Sequence, residues 1–235
     1  MRFQDAAPDA RAVVYAGIQA DPLVARAATL LADASLEQRI LARAAMNGMS
    51  TDPVVWRSMF PRLFGPSSAA GPERDRSEAI LEVALAVAER GEQVRSQVRG
   101  AIVESLTELL VRRRSGIAAP GPSGATVRRE RRILFDGVRA EIHPYDVTVE
   151  RDGSAEAYDC KWGARGINAD VLHQLDDARI HAADEDERLA VALVVFDAVR
   201  SCDVRLAAQT APHEATRLVT IETLDGLASA TGTAR

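Results

Sequence analysis

Lysine is almost absent from this chain: of 29 basic side chains, 28 are arginine and one, Lys161, is lysine. Asparagine is nearly as scarce, at Asn47 and Asn168 only. Arginine thus stands wherever a generic cation will do, and the surviving lysine marks a position that a guanidinium would not serve. Cysteine occurs twice, as Cys160 and Cys202, 42 residues apart, with neither a CxxC pair nor clustered histidines. That argues against a disulfide framework and a thiolate zinc site and leaves two reduced thiols. No apolar run exceeds the eight residues Leu189 to Phe196, under half of what a bilayer-spanning helix needs. The opening MRFQDAAPDAR carries acids where a secretory leader needs an apolar stretch, so a cytoplasmic location without a membrane partner is expected.

What the chain does contain is enough apolar sequence for a sizeable core: 47% of its 235 residues are hydrophobic and 27% charged. The formal charge of −5 speaks against a general nucleic-acid coat but leaves room for a local basic patch. Residues 1–64 read as short helices, with Asp21-Pro22 and Asp52-Pro53 as starts, a capping box at Ser35-Leu-Glu-Gln38 and a stop at Gly48. The turn at Gly48 invites comparison with a helix-turn-helix DNA reader. The following helix, however, carries Val54, Val55, Trp56, Met59 and Phe60, and only Arg57 is suited to touch DNA, so packing or partner binding is the better expectation.

Gly65 to Pro72 is rich in breakers and reads as a linker (65–72), followed by a second domain over 73–235. Glu73 to Arg114 reads as helix interrupted at Gly91 and Gly100, and Gly116 to Gly124 is a second breaker-rich stretch. The period then changes. Strands are expected at Arg128 to Phe135, Glu141 to Glu150 and Ala155 to Trp162, with a hairpin turn at Asp152-Gly153. Asn168 caps a helix reaching about Ala183, Leu189 to Ala198 is a valine-rich buried strand, and Arg217 to Ile221 is a weaker one. The fold class is α/β with a mixed sheet, preceded by a helical N-terminal region.

Alternation along the third strand puts Asp159 and Lys161 on one face and Tyr158, Cys160 and Trp162 on the other, the first two about 7 Å apart along the strand. On the strand before, Asp146, Thr148 and Glu150 share a face, and a hairpin pairing brings Asp146 beside Asp159. Two adjacent carboxylates suit a hard divalent cation that keeps waters for a phosphate, and a lysine beside them suits a charge or proton role on the attacking water.

Pro144-Tyr145-Asp146 and Asp159-Cys160-Lys161 resemble the motif of the PD-(D/E)XK nuclease superfamily, with the first aspartate two residues after the proline instead of one. Gly100-Ala-Ile-Val-Glu104 resembles the helical glutamate of that family, and His173-Gln174 the glutamine that several branches carry; Ala178 stands where one branch has a tyrosine. The resemblance covers about residues 94–200 and rests on the order of the pieces. It implies a restriction-endonuclease-like core of helix, three strands, helix and strand. It also implies a Mg²⁺-dependent nuclease, with Mn²⁺ able to substitute, that acts on DNA in preference to RNA and cuts as an endonuclease. The implied metal ligands are Asp146, Asp159 and Glu104, with Lys161 and Gln174 completing the catalytic set. A role in restriction or anti-phage defence, as a homodimer or with a partner protein held by the helical region, is compatible with the breadth of the family. The other function class is a nucleic-acid-binding or scaffolding subunit that keeps the fold without cleaving.

Each residue also has a plainer reading. Asp159 and Lys161 form a simple ion pair, Asp146 hydrogen-bonds a strand start, Gln174 is a solvated helix residue, and Glu108 competes with Glu104 one turn on. His143 and His173 read as structural, Glu141 and Glu150 as solvated, and Cys160 as core. Arg112, Arg113, Arg114, Arg128, Arg129, Arg131 and Arg132 stand against a single acid, Glu130, between residues 111 and 132, and are expected to contact phosphates unless they merely solvate a face.

Overall fold

The computed structural model describes residues 1–6, 10–65, 71–116, 125–136, 138–139 and 143–229. Most of both breaker-rich stretches, the Gly137 turn and Glu141 lie outside the described residues. The chain divides into two compact units, residues 10–106 and residues 1–9 with 107–235. The boundary therefore falls at 106/107 and not in the expected linker at 65–72.

The helical unit comprises α1 (Ala10–Gln19), α2 (Pro22–Ala32), α3 (Leu36–Asn47), α4 (Pro53–Met59), α5 (Pro61–Phe64), α6 (Pro72–Ala88) and the first part of α7 (Glu92–Arg114). Asp21, Ser35 and Asp52 cap α2, α3 and α4 through their side chains, with proline at the first turn of α2 and α4. The division moves because α6 packs on α2 and α3. Ile80, Leu81, Ala84 and Val87 of α6 are buried with Val24, Ala27, Leu31, Leu41, Ala42 and Ala45. Gln38 binds α3 to α6: its amide accepts from the Ser35 backbone at 2.9 Å and donates to the Glu73 carbonyl and the Ser77 hydroxyl, both at 3.0 Å. Gly100 does not interrupt α7, because a Cβ there would lie 3.2 Å from the Tyr15 hydroxyl; the glycine makes room for a neighbour. Arg57, the one residue of α4 suited to DNA, is ion-paired to Glu78 at 2.8 Å.

The other unit is an α/β structure around a mixed sheet. Its strands are β1 (Arg2–Asp5), β2 (Thr126–Phe135), β3 (Val138–Arg139), β4 (Tyr145–Arg151), β5 (Ser154–Lys161), β6 (Arg188–Val195) and β7 (Arg217–Val219). They run in the order β1-β2-β4-β5-β6-β7, with β3 paired to β2 off this path. β1, β2, β4 and β5 pair antiparallel, whereas β6 is parallel to β5 and β7 parallel to β6. The crossover between the parallel strands is α8 (Ala169–Asp184), capped by Asn168, and α9 (Val199–Ala207) follows β6. Leu172, Leu175, Ala178 and Ala182 of α8 are buried in one core with Ala155, Ala157, Val191, Leu193 and Val195. The Cys160 thiol, on the other face of β5, is buried and donates to the Thr107 hydroxyl of α7 at 3.4 Å. β1 is an edge strand that periodicity does not announce, since only Phe3 of its four residues is partly buried. No described helix is long and apolar enough to cross a membrane.

Gln38→Ala removes the amide that joins the Ser35 backbone, the Glu73 carbonyl and the Ser77 hydroxyl, and is expected to destabilise the protein by about 1–3 kcal/mol, measured by urea denaturation.

Candidate functional site

The β4–β5 hairpin pairs Arg151 with Ser154, Thr148 with Ala157 and Val147 with Tyr158. Continuing this register by one residue sets Asp146 opposite Asp159, on the shared face that the alternation requires. The backbone ladder stops there because the Asp146 carboxylate itself accepts the Cys160 N–H, at 2.5 Å. On the other flank of β4, the β2 ladder pairs Arg129 with Val147 and Arg131 with Tyr145, and skips Glu130 and Asp146. Glu130 has a left-handed φ of 51°. A non-glycine residue in that region costs on the order of 1–3 kcal/mol, strain of the kind that collects at functional sites. Asp146 thus stands where both neighbouring ladders are interrupted.

Asp159 is buried, at 5% exposure, and Lys161 is half-buried and ion-paired to its Oδ1. That oxygen is buried and meets the ammonium, while Lys161 and Asp146 are partly exposed. Burial opposes the charge on Lys161, but the carboxylates of Asp159 and then Asp146 outweigh it and hold its pKa above the ordinary lysine value. The lysine is therefore a standing cation at neutral pH, not the free base that a desolvated lysine would become. Two carboxylates against one ammonium leave the cluster an excess of one negative charge.

Among the described residues no three His, Cys, Asp or Glu side chains gather as a metal-holding group. A zinc or calcium cage is not built here. The chemistry of the donor pair, two carboxylates set opposite each other, does fit Mg²⁺, which binds through one or two carboxylates and keeps waters for substrate phosphate. Glu104 belongs to the helical unit, where its buried carboxylate accepts from the Tyr15 hydroxyl and, at 2.8 Å, from the Gln19 amide. Both oxygens are occupied there. Glu108 is ion-paired to Arg112 and Arg129.

Gln174 is buried in α8. Its amide oxygen accepts the His143 N–H at 3.1 Å and its amide nitrogen donates to the His143 carbonyl at 2.9 Å. Both halves of the side chain are spent clamping the segment that leads through Pro144 into Asp146. The His143 and His173 side chains are exposed. Glu150 is ion-paired to Arg131 at 2.9 Å, so it is not the solvated residue that alternation alone implies.

The arginine run is largely consumed by acids distant in sequence. Arg112 pairs with Glu108 and donates to the Val127 carbonyl at 3.0 Å; Arg129 also pairs with Glu108. Arg131 pairs with Glu150 and Asp5, and Arg114 with Glu156 at 2.7 Å. These four of the seven tie α7 and β1 to the sheet instead of presenting charge for phosphate. Arg113 and Arg128 are exposed and Arg132 is half-buried.

Sequence reasoning missed Asp197 and Gly166. Asp197 is buried at the end of β6 and accepts the Ala164 N–H at 3.0 Å and the Ala198 N–H at 2.8 Å. An acid directly after the apolar run Leu189 to Phe196 was the available signal. Gly166 lies against the stem of Lys161, which spacing alone does not reveal.

Two substitutions test these assignments. Gln174→Leu leaves the His143 N–H and carbonyl without partners and is expected to cost about 1–3 kcal/mol in chemical denaturation. Burial raises the Glu156 pKa, but hydrogen bonds from Tyr158 and Arg151 and the charge of Arg114 overcome it, and the net shift is downward. Its folded pKa lies below its unfolded value, so its contribution to stability is present above about pH 4.5 and is lost as pH falls through the folded value. Acid denaturation of Glu156→Gln should accordingly show a shallower loss of stability below pH 4.5 than the parent. No protein-family model matches this chain, and no similar curated protein or solved structure is found.

Proposed function

We propose that the protein is a metal-dependent nuclease that hydrolyses phosphodiester bonds within DNA. The observation that carries this reading is Asp146 set opposite buried Asp159 at the end of the β4–β5 hairpin, with the one lysine of the chain on the same face. Support comes from the element order α7, β2, β4, β5, α8, β6 and from the resemblance of Asp146 and Asp159-Cys160-Lys161 to the PD-(D/E)XK motif with its restriction-endonuclease-like core. The site also lies at the carboxyl end of β5, whose neighbours are antiparallel β4 and parallel β6.

Asp146 and Asp159 would hold Mg²⁺, whose contribution when bound is a lowered water pKa and a counter-charge for the phosphate. The rest is the work of the chain. The Cys160 N–H fixes the rotamer of Asp146, and Gln174 fixes the backbone that leads into it. The Lys161 ammonium, on the same face as both carboxylates, would donate to a phosphate oxygen and stabilise the charge that develops there. Glu104 has no assigned step, since Tyr15 and Gln19 occupy it.

The consumption of Arg112, Arg114, Arg129 and Arg131 by acids favours one second reading, a scaffolding subunit that does not cleave. Labelled linear DNA, circular DNA and RNA incubated with Mg²⁺, Mn²⁺ or EDTA separate the two. The expected result is metal-dependent loss of circular DNA that EDTA abolishes and that falls by about 100-fold or more in Asp159→Asn, Lys161→Ala and Lys161→Arg. Absence of cleavage in every condition would replace the nuclease with the scaffold.

A further inference from the structure

We infer that Gly166 is a positioning residue for Lys161: its missing side chain leaves the slot in which the lysine stem lies, and so aims the ammonium at the Asp146–Asp159 pair. The chemical consequence rests on the nuclease reading above; the geometry does not.

β5 ends at Lys161, and the chain turns back through a short 3₁₀ segment, Ala164–Gly166, before α8. A Cβ built on Gly166 would lie 2.9 Å from both Cβ and Cγ of Lys161 and 2.8 Å from its Cδ. These are the root and middle of the side chain, which no rotation of its far end can withdraw. Gly166 is not among the glycines with a left-handed φ, which in the described residues are Gly71, Gly116 and Gly153. An alanine would thus fit the backbone at 166, and only the space filled by Lys161 excludes it.

The turn is braced from behind and does not yield. Asp197 accepts the Ala164 N–H at 3.0 Å, and Arg205 donates to the Ile167 carbonyl at 3.0 Å. Gly166 N–H donates to the Gly163 carbonyl and Phe196 N–H to the Lys161 carbonyl, both at 2.9 Å, and the Trp162 ring stacks on Phe196 with centroids 5.0 Å apart. Bulk added at 166 must therefore displace the lysine. Lys161 is held at both ends, by Gly166 along its methylenes and by Asp159 at its ammonium. Displacement would leave buried Asp159 Oδ1 without its cation.

Because Lys161 is the only lysine, ¹³C-lysine labelling of the full chain gives one lysine ε-carbon signal, and it reports this residue alone. In the wild type the signal should show the displaced shift and slow relaxation of an ordered side chain. In Gly166→Ala it should move to the free-lysine position and relax as a mobile chain, with the melting temperature lowered because buried Asp159 loses its cation. On DNA with Mg²⁺, kcat should fall by about tenfold or more with KM within about twofold, the mark of a misplaced group in a bound complex. If Gly166→Ala does not fold, the wild-type signal decides the matter, since a mobile lysine at the free-lysine position in the wild type overturns the inference. An unchanged lysine signal in the folded variant overturns the inference, as does an unchanged kcat where the wild type cleaves. A wild type that cleaves nothing overturns the nuclease reading alone, and the lysine signal still judges Gly166.

Discussion

The register of the β4–β5 hairpin is the constraint on which the rest of the site depends. It is set at the far end of the hairpin, where Arg151 pairs with Ser154 across a turn in which Gly153 takes a φ of 67°. A slip of one residue would send Asp159 and Lys161 to the face where Cys160 meets Thr107 and would expose apolar side chains in their place. The burial of Ala155 and Ala157 under α8 resists such a slip, so the packing that stabilises the sheet also fixes which acids meet. Asp146 then exploits the place where the ladder ends, its carboxylate taking a backbone donor that a further strand residue would have used.

What could be read from the sequence follows from how local its cause is. Period-two alternation, the Asp152-Gly153 turn and the Asn168 cap are near-neighbour effects, and the strands, the helix and the shared face of Asp146, Asp159 and Lys161 emerge from them. The unit boundary does not, because it depends on α6 choosing α2 and α3 as partners, a choice made by buried side chains from far along the chain. Gly100 was a break by propensity and became a close approach by packing. β1 was invisible because an edge strand of four residues shows too little of a face to carry a pattern.

The arginines show the same limit in charge. Between residues 111 and 132 the sequence offers seven arginines and one acid, and a local count predicts a basic surface. The fold imports Glu108, Glu150, Glu156 and Asp5 from outside that window and spends four of the seven on them. Gln174 was similarly placed in the catalytic set by its position on the helix after the sheet, whereas its amide is a two-point clamp on the backbone before Asp146. In both cases the residue type was right for a polar task and the partner was set by tertiary structure.

Lys161 meets one steric and one electrostatic demand. A cation at position 161 must thread a narrow gap along its methylenes and end as a compact charge beside two carboxylates. A guanidinium shares Cβ, Cγ and Cδ with lysine and differs beyond them, where it is planar and broader than an ammonium. The gap left by a missing side chain five residues on seats methylenes common to both residues, so the compact end charge is what favours lysine; Asp197, the buried acid after β6, holds the turn that forms the gap.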